Sequence, residues 1–195
     1  MQSRDVGTAS HSEIHGGRWA RADNNAIPTW QLAPDKKSAY LILMNDPTLL
    51  QIDLTTPGEV VKAKSLGKMI DGKNPDSRCG LDVAPDGRVY AIVRVDNTTK
   101  FGQGYLHHIL RFDPKAKKTE DLGVVRVANP DYFDWKAKGP DGKPQQWIHG
   151  FHTLPDGALT PMHAHMALVA AKDGSVYVTI IYPFTLLKID PASLH

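Results

Sequence analysis

Short stretches of alternating apolar and polar residues recur along this chain, each punctuated by an aspartate-centred turn. Side chains on a strand point alternately to opposite faces, so such stretches predict β-strands rather than helices. The first copy runs from Trp30 to Leu32, through Pro34-Asp35 into Tyr40 to Met44, and then from Leu49 to Asp53. The second runs from Leu81 to Val83, through Pro85-Asp86-Gly87 into Tyr90 to Val93, and then from Ile109 to Asp113. The third enters at His163, passes through Asp173-Gly174 into Tyr177 and the aliphatic residues after it, and closes at Ile189-Asp190. An Asp-Gly pair tolerates the positive φ that a tight connection between strands demands, and a preceding proline sets the entry. The first copy has Lys36-Lys37 in place of glycine, which predicts a longer turn there.

Spacing separates framework from insertion. Tyr40 and Asp53 are 13 positions apart, as are Tyr177 and Asp190, whereas Tyr90 and Asp113 are 23 apart; the second copy therefore carries an insertion over 96–105. A fourth strand follows in two copies, from Val60 to Gly67 and from Lys118 to Val125. Four antiparallel strands in a repeat of about forty to fifty residues is the pattern of a β-propeller blade. No segment keeps a helical period over ten or more residues, which argues against a doubly wound sheet and leaves a β-sandwich of hairpins as the alternative. The expected fold class is all-β: β-propeller blades of four antiparallel strands, about two and a half of them, forming a partial propeller. The blades fall at 27–67 and 78–126, with an incomplete blade at 163–195, a long loop at 127–162, and an N-terminal arm or remnant of a preceding element at 1–26.

The Pro-Asp-Gly turn, the Val-Tyr strand and the third strand ending in Asp113-Pro114 or Asp190-Pro191 resemble the bacterial propellers that include the gluconolactonase-like and NHL or YVTN repeat proteins. The likeness spans residues 27–195 as a repeat pattern and implies an architecture. The metal-binding acid and Asn/Asp set of gluconolactonase-like enzymes has no matching positions here, and neither does the His and Glu pair of streptogramin-lyase-like propellers. Propellers usually close with four to eight blades, each burying its faces against two neighbours. Fewer than three full blades predict a fragment of a longer protein, or copies that self-associate through unpaired blade ends.

In a blade, the turns after the first and third strands lie on one face of the propeller, and the turn after the second strand and the link to the next blade lie on the other. The insertion with its flanks, 95–108, and the links 68–79 and 126–165 share that second face. It collects His107, His108, His149, His152, His163 and His165, together with Tyr132, Phe133, Trp135 and Trp147. Long loops on a rigid scaffold are where binding concentrates, so this face is the expected site for a small-molecule or protein ligand. The four aromatic residues are candidate ligand contacts by stacking, with a small core pinning the loop as the alternative. His163 and His165 fall on the same side of an extended segment, a geometry able to chelate a divalent metal ion, and His149 and His152 are the candidates to complete the set. Hydrogen bonding to loop carbonyls is the alternative role. His107 and His108 diverge on their strand and are read as packing residues. Asp82 interrupts an otherwise apolar first strand and is a candidate ligand residue facing the central channel.

Charge narrows the partners. The formal net charge is +2, with acids and bases interspersed, which leaves no basic footprint for nucleic acid or an anionic membrane. No apolar run reaches the length of a membrane span. The single Cys79 excludes an intramolecular disulfide framework and leaves the compartment open. The N-terminal residues lack the apolar core of a secretory signal, so the protein is expected to be cytoplasmic, or exported with a leader outside this sequence. Two function classes remain: a metal-dependent hydrolase or lyase working at the loop face, and a non-catalytic propeller that binds a ligand or protein there. A fragment whose active residues lie elsewhere is a third.

Overall fold

The structure, a computed structural model, describes residues 29–57, 63–100, 104–127, 138, 140–142, 151–164, 167–180 and 185–194. Strands β1 (Trp30–Leu32), β2 (Ser38–Ile42), β3 (Thr48–Asp53) and β4 (Ala63–Lys68) form one antiparallel sheet in chain order. A second four-stranded sheet follows in the same order from β5 (Leu81–Val83), β6 (Val89–Asp96), β7 (Tyr105–Asp113) and β8 (Lys118–Val124). A hairpin of β9 (Phe151–Thr153) and β10 (Leu159–Pro161) comes next. Last is a three-stranded sheet of β11 (Leu168–Ala170), β12 (Val176–Ile180) and β13 (Thr185–Ile189), then a single 3-10 turn, Pro191–Ser193. The protein is thus an all-β chain of propeller-type blades, two complete and one partial. No helix among the described residues is long and apolar enough to cross a membrane.

The repeated aspartates close the blades. Asp35, Asp86, Asp156 and Asp173 each accept, through Oδ1, a hydrogen bond from the amide two residues on, at 2.9 to 3.1 Å. Asp53, Asp113 and Asp190 do the same after each third strand, at 2.8 to 2.9 Å. A carboxylate that supplies this acceptor folds the chain back without a partner strand, which is why Asp recurs at these places. The first turn is longer, as expected. Its closing bond, Ala33 N to Ser38 O, spans one residue more than Ala84 N to Arg88 O, and Lys36 takes the left-handed conformation at φ 56° where Gly87 stands at 88°. A bulge recurs as well: the β3–β4 ladder shifts register at Leu49/Leu50, the β7–β8 ladder at His108/Leu110. Gly67 and Gly123, at φ 97° and 106°, supply the positive φ these bulges require.

The outcome for the stretch 127–162 differs from one long loop. Leu154-Pro155-Asp156-Gly157 makes the same turn as the blades, and the hairpin it closes is held to the chain by an antiparallel bridge between Val127 and Leu159.

Alternation along β6 shows why the sheets stack. Val89, Ala91, Val93 and Val95 face the first sheet, where they pack with Tyr40, Ile42 and Leu49. Tyr90 and Ile92 face the third, packing with Leu168, Val176 and Val178. The middle sheet is buried on both sides, and each such aliphatic side chain contributes roughly 1.5–3 kcal/mol by leaving water. The outer faces differ: Trp30 and Leu32 on β1 are 59% and 44% exposed, and Val169 and Leu186 on the third sheet 56% and 59%. These side chains lie where the next blade of a propeller packs.

Candidate functional site

Three separate segments meet at the β6–β7 end of the middle sheet. The link from β4 to β5 is pinned from both sides. Asp76 exchanges backbone hydrogen bonds with Arg94 at 2.8 and 2.9 Å, while the Ser77 hydroxyl and amide bond to Leu43 O at 2.8 Å and Met44 O at 3.0 Å. Gly72 permits this close passage, because a Cβ there falls 2.6 Å from Val95 Cγ1. The buried Asp76 carboxylate then accepts from Arg94 Nη2 at 2.9 Å and Arg78 Nε at 3.0 Å. Two guanidiniums on one carboxylate leave it neutralised, and they leave Arg78, 46% exposed at its side chain, at the surface of the face.

Tyr105, the first residue of β7, joins these groups to the histidines. The Arg94 guanidinium lies 4.7 Å from its ring centroid, in cation–π range. The His107 ring stands edge-on to it at 5.6 Å, and the His163 ring lies tilted at 6.0 Å. Burial raises the Tyr105 phenol above its ordinary value, so it is a protonated donor at neutral pH.

His107 is fully buried and holds the segment after β10. Its Nδ1 bonds to Pro161 O at 3.1 Å, and its Nε2 lies 3.4 Å from the Ala164 amide. An amide only donates and a carbonyl only accepts, so this network assigns the proton to Nδ1. His108 points to the other side of the strand and bonds Asp121 Oδ2 at 2.8 Å. The two rings diverge, as expected for neighbours on a strand.

Of the candidate metal residues, the structure describes His152 and His163. His152, in β9, is 1% exposed and lies opposite Thr160 across the hairpin. Burial pushes its pKa down to about 4, so it is neutral at physiological pH. His163 is half-buried beside Tyr105. His149 and His165 lie outside the described residues, as do Tyr132, Phe133, Trp135 and Trp147. Among the described residues no three His, Cys, Asp or Glu side chains are grouped to hold a metal ion.

Asp82 has a mechanical task in addition to its place on the innermost strand. Its Oδ2 accepts from Ala170 N of β11 at 2.8 Å and its Oδ1 from Val83 N at 2.9 Å, so one carboxylate ties the middle sheet to the third. Asp76, Arg78, Arg94 and Tyr105 were not among the candidates. The available signals were Arg94 ending the apolar run Val89 to Val93 and Tyr105 closing the insertion.

No protein-family model matches the chain, and no curated protein does. Several solved structures show similarity to it, among them the following two. One is hydrazine synthase from Kuenenia stuttgartiensis, at 14% identity and a TM-score of 0.45, covering 87% of this chain and 60% of that one. The other is a 6-phosphogluconolactonase-like protein from Bacteroides uniformis ATCC 8492, at 14% identity and a TM-score of 0.36, covering 86% of this chain and 40% of that one. The chain thus spans less than two thirds of either. Its propeller character rests on its own sheets, turns and bulges.

Proposed function

We propose that the loop-bearing face binds a small polar organic molecule of about the size of a sugar or lactone, with Tyr105, His163 and Arg78 as its contacts. The observation that carries this reading is the position of Tyr105, which gathers Arg94, His107 and His163 from different segments around one ring. A protonated phenol, an imidazole and an exposed guanidinium are donors suited to carbonyl and hydroxyl oxygens. Binding is favoured over turnover because Asp76 is occupied by two guanidiniums and His107 by two backbone groups, so neither is free to move a proton. Within the propellers, the Pro-Asp-Gly and Val-Tyr repeat supports the gluconolactonase-like, NHL or YVTN group. A thermal-shift screen of sugars, sugar acids and lactones tests the reading. One class should stabilise the wild type, and Tyr105→Ala and His163→Ala should each lose that shift. Shifts that survive both substitutions, or a panel with no effect, would end it.

The metal-dependent reading rests on His163, beside the half-buried Tyr105 ring, and on His165, two positions further along the sequence. Elemental analysis of the purified protein decides it. Absence of stoichiometric metal, with ligand binding unchanged in His163→Ala/His165→Ala, removes a metal enzyme and leaves a binding module. Self-association through the blade ends is supported by exposed Trp30, Leu32, Val169 and Leu186. Light scattering should find more than a monomer, and a dispersed Val169→Lys/Leu186→Lys variant.

A further inference from the structure

Each blade sets a tyrosine of its second strand opposite a long polar residue of its third: Tyr40 with Gln51, Tyr90 with Arg111, and Tyr177 with Lys188. In the second blade Arg111 is matched by Glu120 of β8, with Nη2 and Nε at 2.6 and 3.1 Å from Oε2. In the third, Lys188 Nζ reaches Asp173 Oδ2 at 3.3 Å and lies 5.9 Å from the Tyr177 ring centroid. Both cations are neutralised within their own blade.

The first blade reverses the arrangement. Gln51 stands where the cation does, and Lys64, opposite it on β4, stands where the acid does. The β7–β8 turn of the next blade brings Lys117 to the same hollow. The lysine ion pairs among the described residues involve Lys68, Lys118 and Lys188, and neither Lys64 nor Lys117. The hollow measures about 280 Å³ and has Phe112, Leu66 and Pro114 as its apolar lining, with no carboxylate among the described residues that line it. Gln51 Nε2 lies 3.3 Å from Ser38 Oγ and 3.5 Å from Tyr40 OH. Donating to both, it leaves their hydroxyl protons available. A second hollow of about 300 Å³ shares Gln51 and Lys64 and ends at Asp53, whose carboxylate already accepts from the Thr55 amide and hydroxyl. An anion is therefore drawn to the Lys64–Lys117 end.

We propose that this hollow between the first two blades binds a small organic anion, a carboxylate or phosphate ester, with its charge at Lys64 and Lys117 and its apolar part against Phe112, Leu66 and Pro114. The site is independent of the loop face and lies toward the end of the blades that carries the short turns. Its charges are exposed, so affinity falls as salt rises.

A backbone-amide NMR titration at low ionic strength with phenyl phosphate, benzoate and inorganic phosphate tests the proposal. Saturable shifts are expected at Gln51, Ser65 and Lys117 with phenyl phosphate or benzoate, whichever source of charge the site prefers, and at least tenfold weaker binding of inorganic phosphate. Lys64→Ala/Lys117→Ala should raise Kd at least tenfold, whereas Lys115→Ala, on the same turn but outside the hollow, should change it less than twofold. Gln51→Arg/Lys64→Glu rebuilds the Arg111–Glu120 arrangement; it should fold and lose binding. Absence of saturable shifts at the three amides, equal affinity in the double alanine variant, or full binding by the charge-swapped variant would each overturn the proposal.

Discussion

His152 makes the stability of the fold depend on pH in a window where most side chains are silent. Its folded-state pKa is about 4 against 6.5 for the exposed imidazole, and burial is the cause. The sign follows from which state holds the proton. Below about pH 6.5 the unfolded chain protonates this side chain and the folded chain does not, so the fold loses about 1.4 kcal/mol per pH unit as pH falls. By about pH 4 the loss is about 3 kcal/mol, a large part of the 5–15 kcal/mol that holds a typical domain together. Above about pH 6.5 the effect is absent. Urea unfolding followed by tryptophan fluorescence from about pH 7.5 to about pH 4.5, on wild type and His152→Phe, isolates this contribution. Whatever the substitution does at neutral pH, its curve should be flatter by about 1.4 kcal/mol per unit between about pH 6 and pH 4.5. Asp113, Asp156 and Asp173, whose carboxyls are held below the usual range by hydrogen bonds, lose stabilisation at lower pH in both proteins and cancel. Parallel curves for the two proteins would refute the reasoning.

Asp82→Ala should destabilise by about 1.5–3 kcal/mol, because a charged acceptor is removed from the Ala170 amide. Hydrogen exchange at Ala170 should quicken more than at Val178, and equal changes at both would show that the tie is not local. Gly72→Ala places a methyl 2.6 Å from Val95 Cγ1 and should cost about 1–3 kcal/mol in denaturant melts. Val95→Ala added to it should recover part of that loss, and strict additivity would contradict the clash. Gly123→Ala forces a side chain to φ 106° at the β7–β8 bulge and should lower the melting temperature, although nothing beyond its own chain neighbours lies within 4 Å of its Cβ; an unchanged temperature would show that the positive φ carries no strain there.

The architecture was legible where the physics is local. A strand's period of two, an aspartate that satisfies the amide two residues on, and a glycine at a bulge each act over a few positions, so Leu81 to Val93 and Ile109 to Asp113 could be read as blade framework from residue types alone. The β9–β10 hairpin carries the same Leu154-Pro155-Asp156-Gly157 signal. It was missed because its strands are three residues each and no Val-Tyr run follows the turn. The groups around Tyr105 were legible only in part. Topology brought the insertion, the β4–β5 link and the segment before β11 to one face, and His163 stood out as a residue without a counterpart in the other copies. The pairing of Asp76 with Arg94 and Arg78 was not, because a salt bridge between a link and a strand end leaves no periodic trace. Asp82 illustrates the converse: a polar residue on an apolar strand suggested a ligand contact, and its carboxylate ties two blades together.

The central claim, that the face around Tyr105 is a ligand site, is tested most directly by soaking crystals with a library of small polar fragments. The account predicts bound fragments clustering at Tyr105, His163 and Arg78, with density at that place lost in Tyr105→Ala crystals. Fragments that gather elsewhere and leave this face empty, or that bind it equally in Tyr105→Ala, would contradict it.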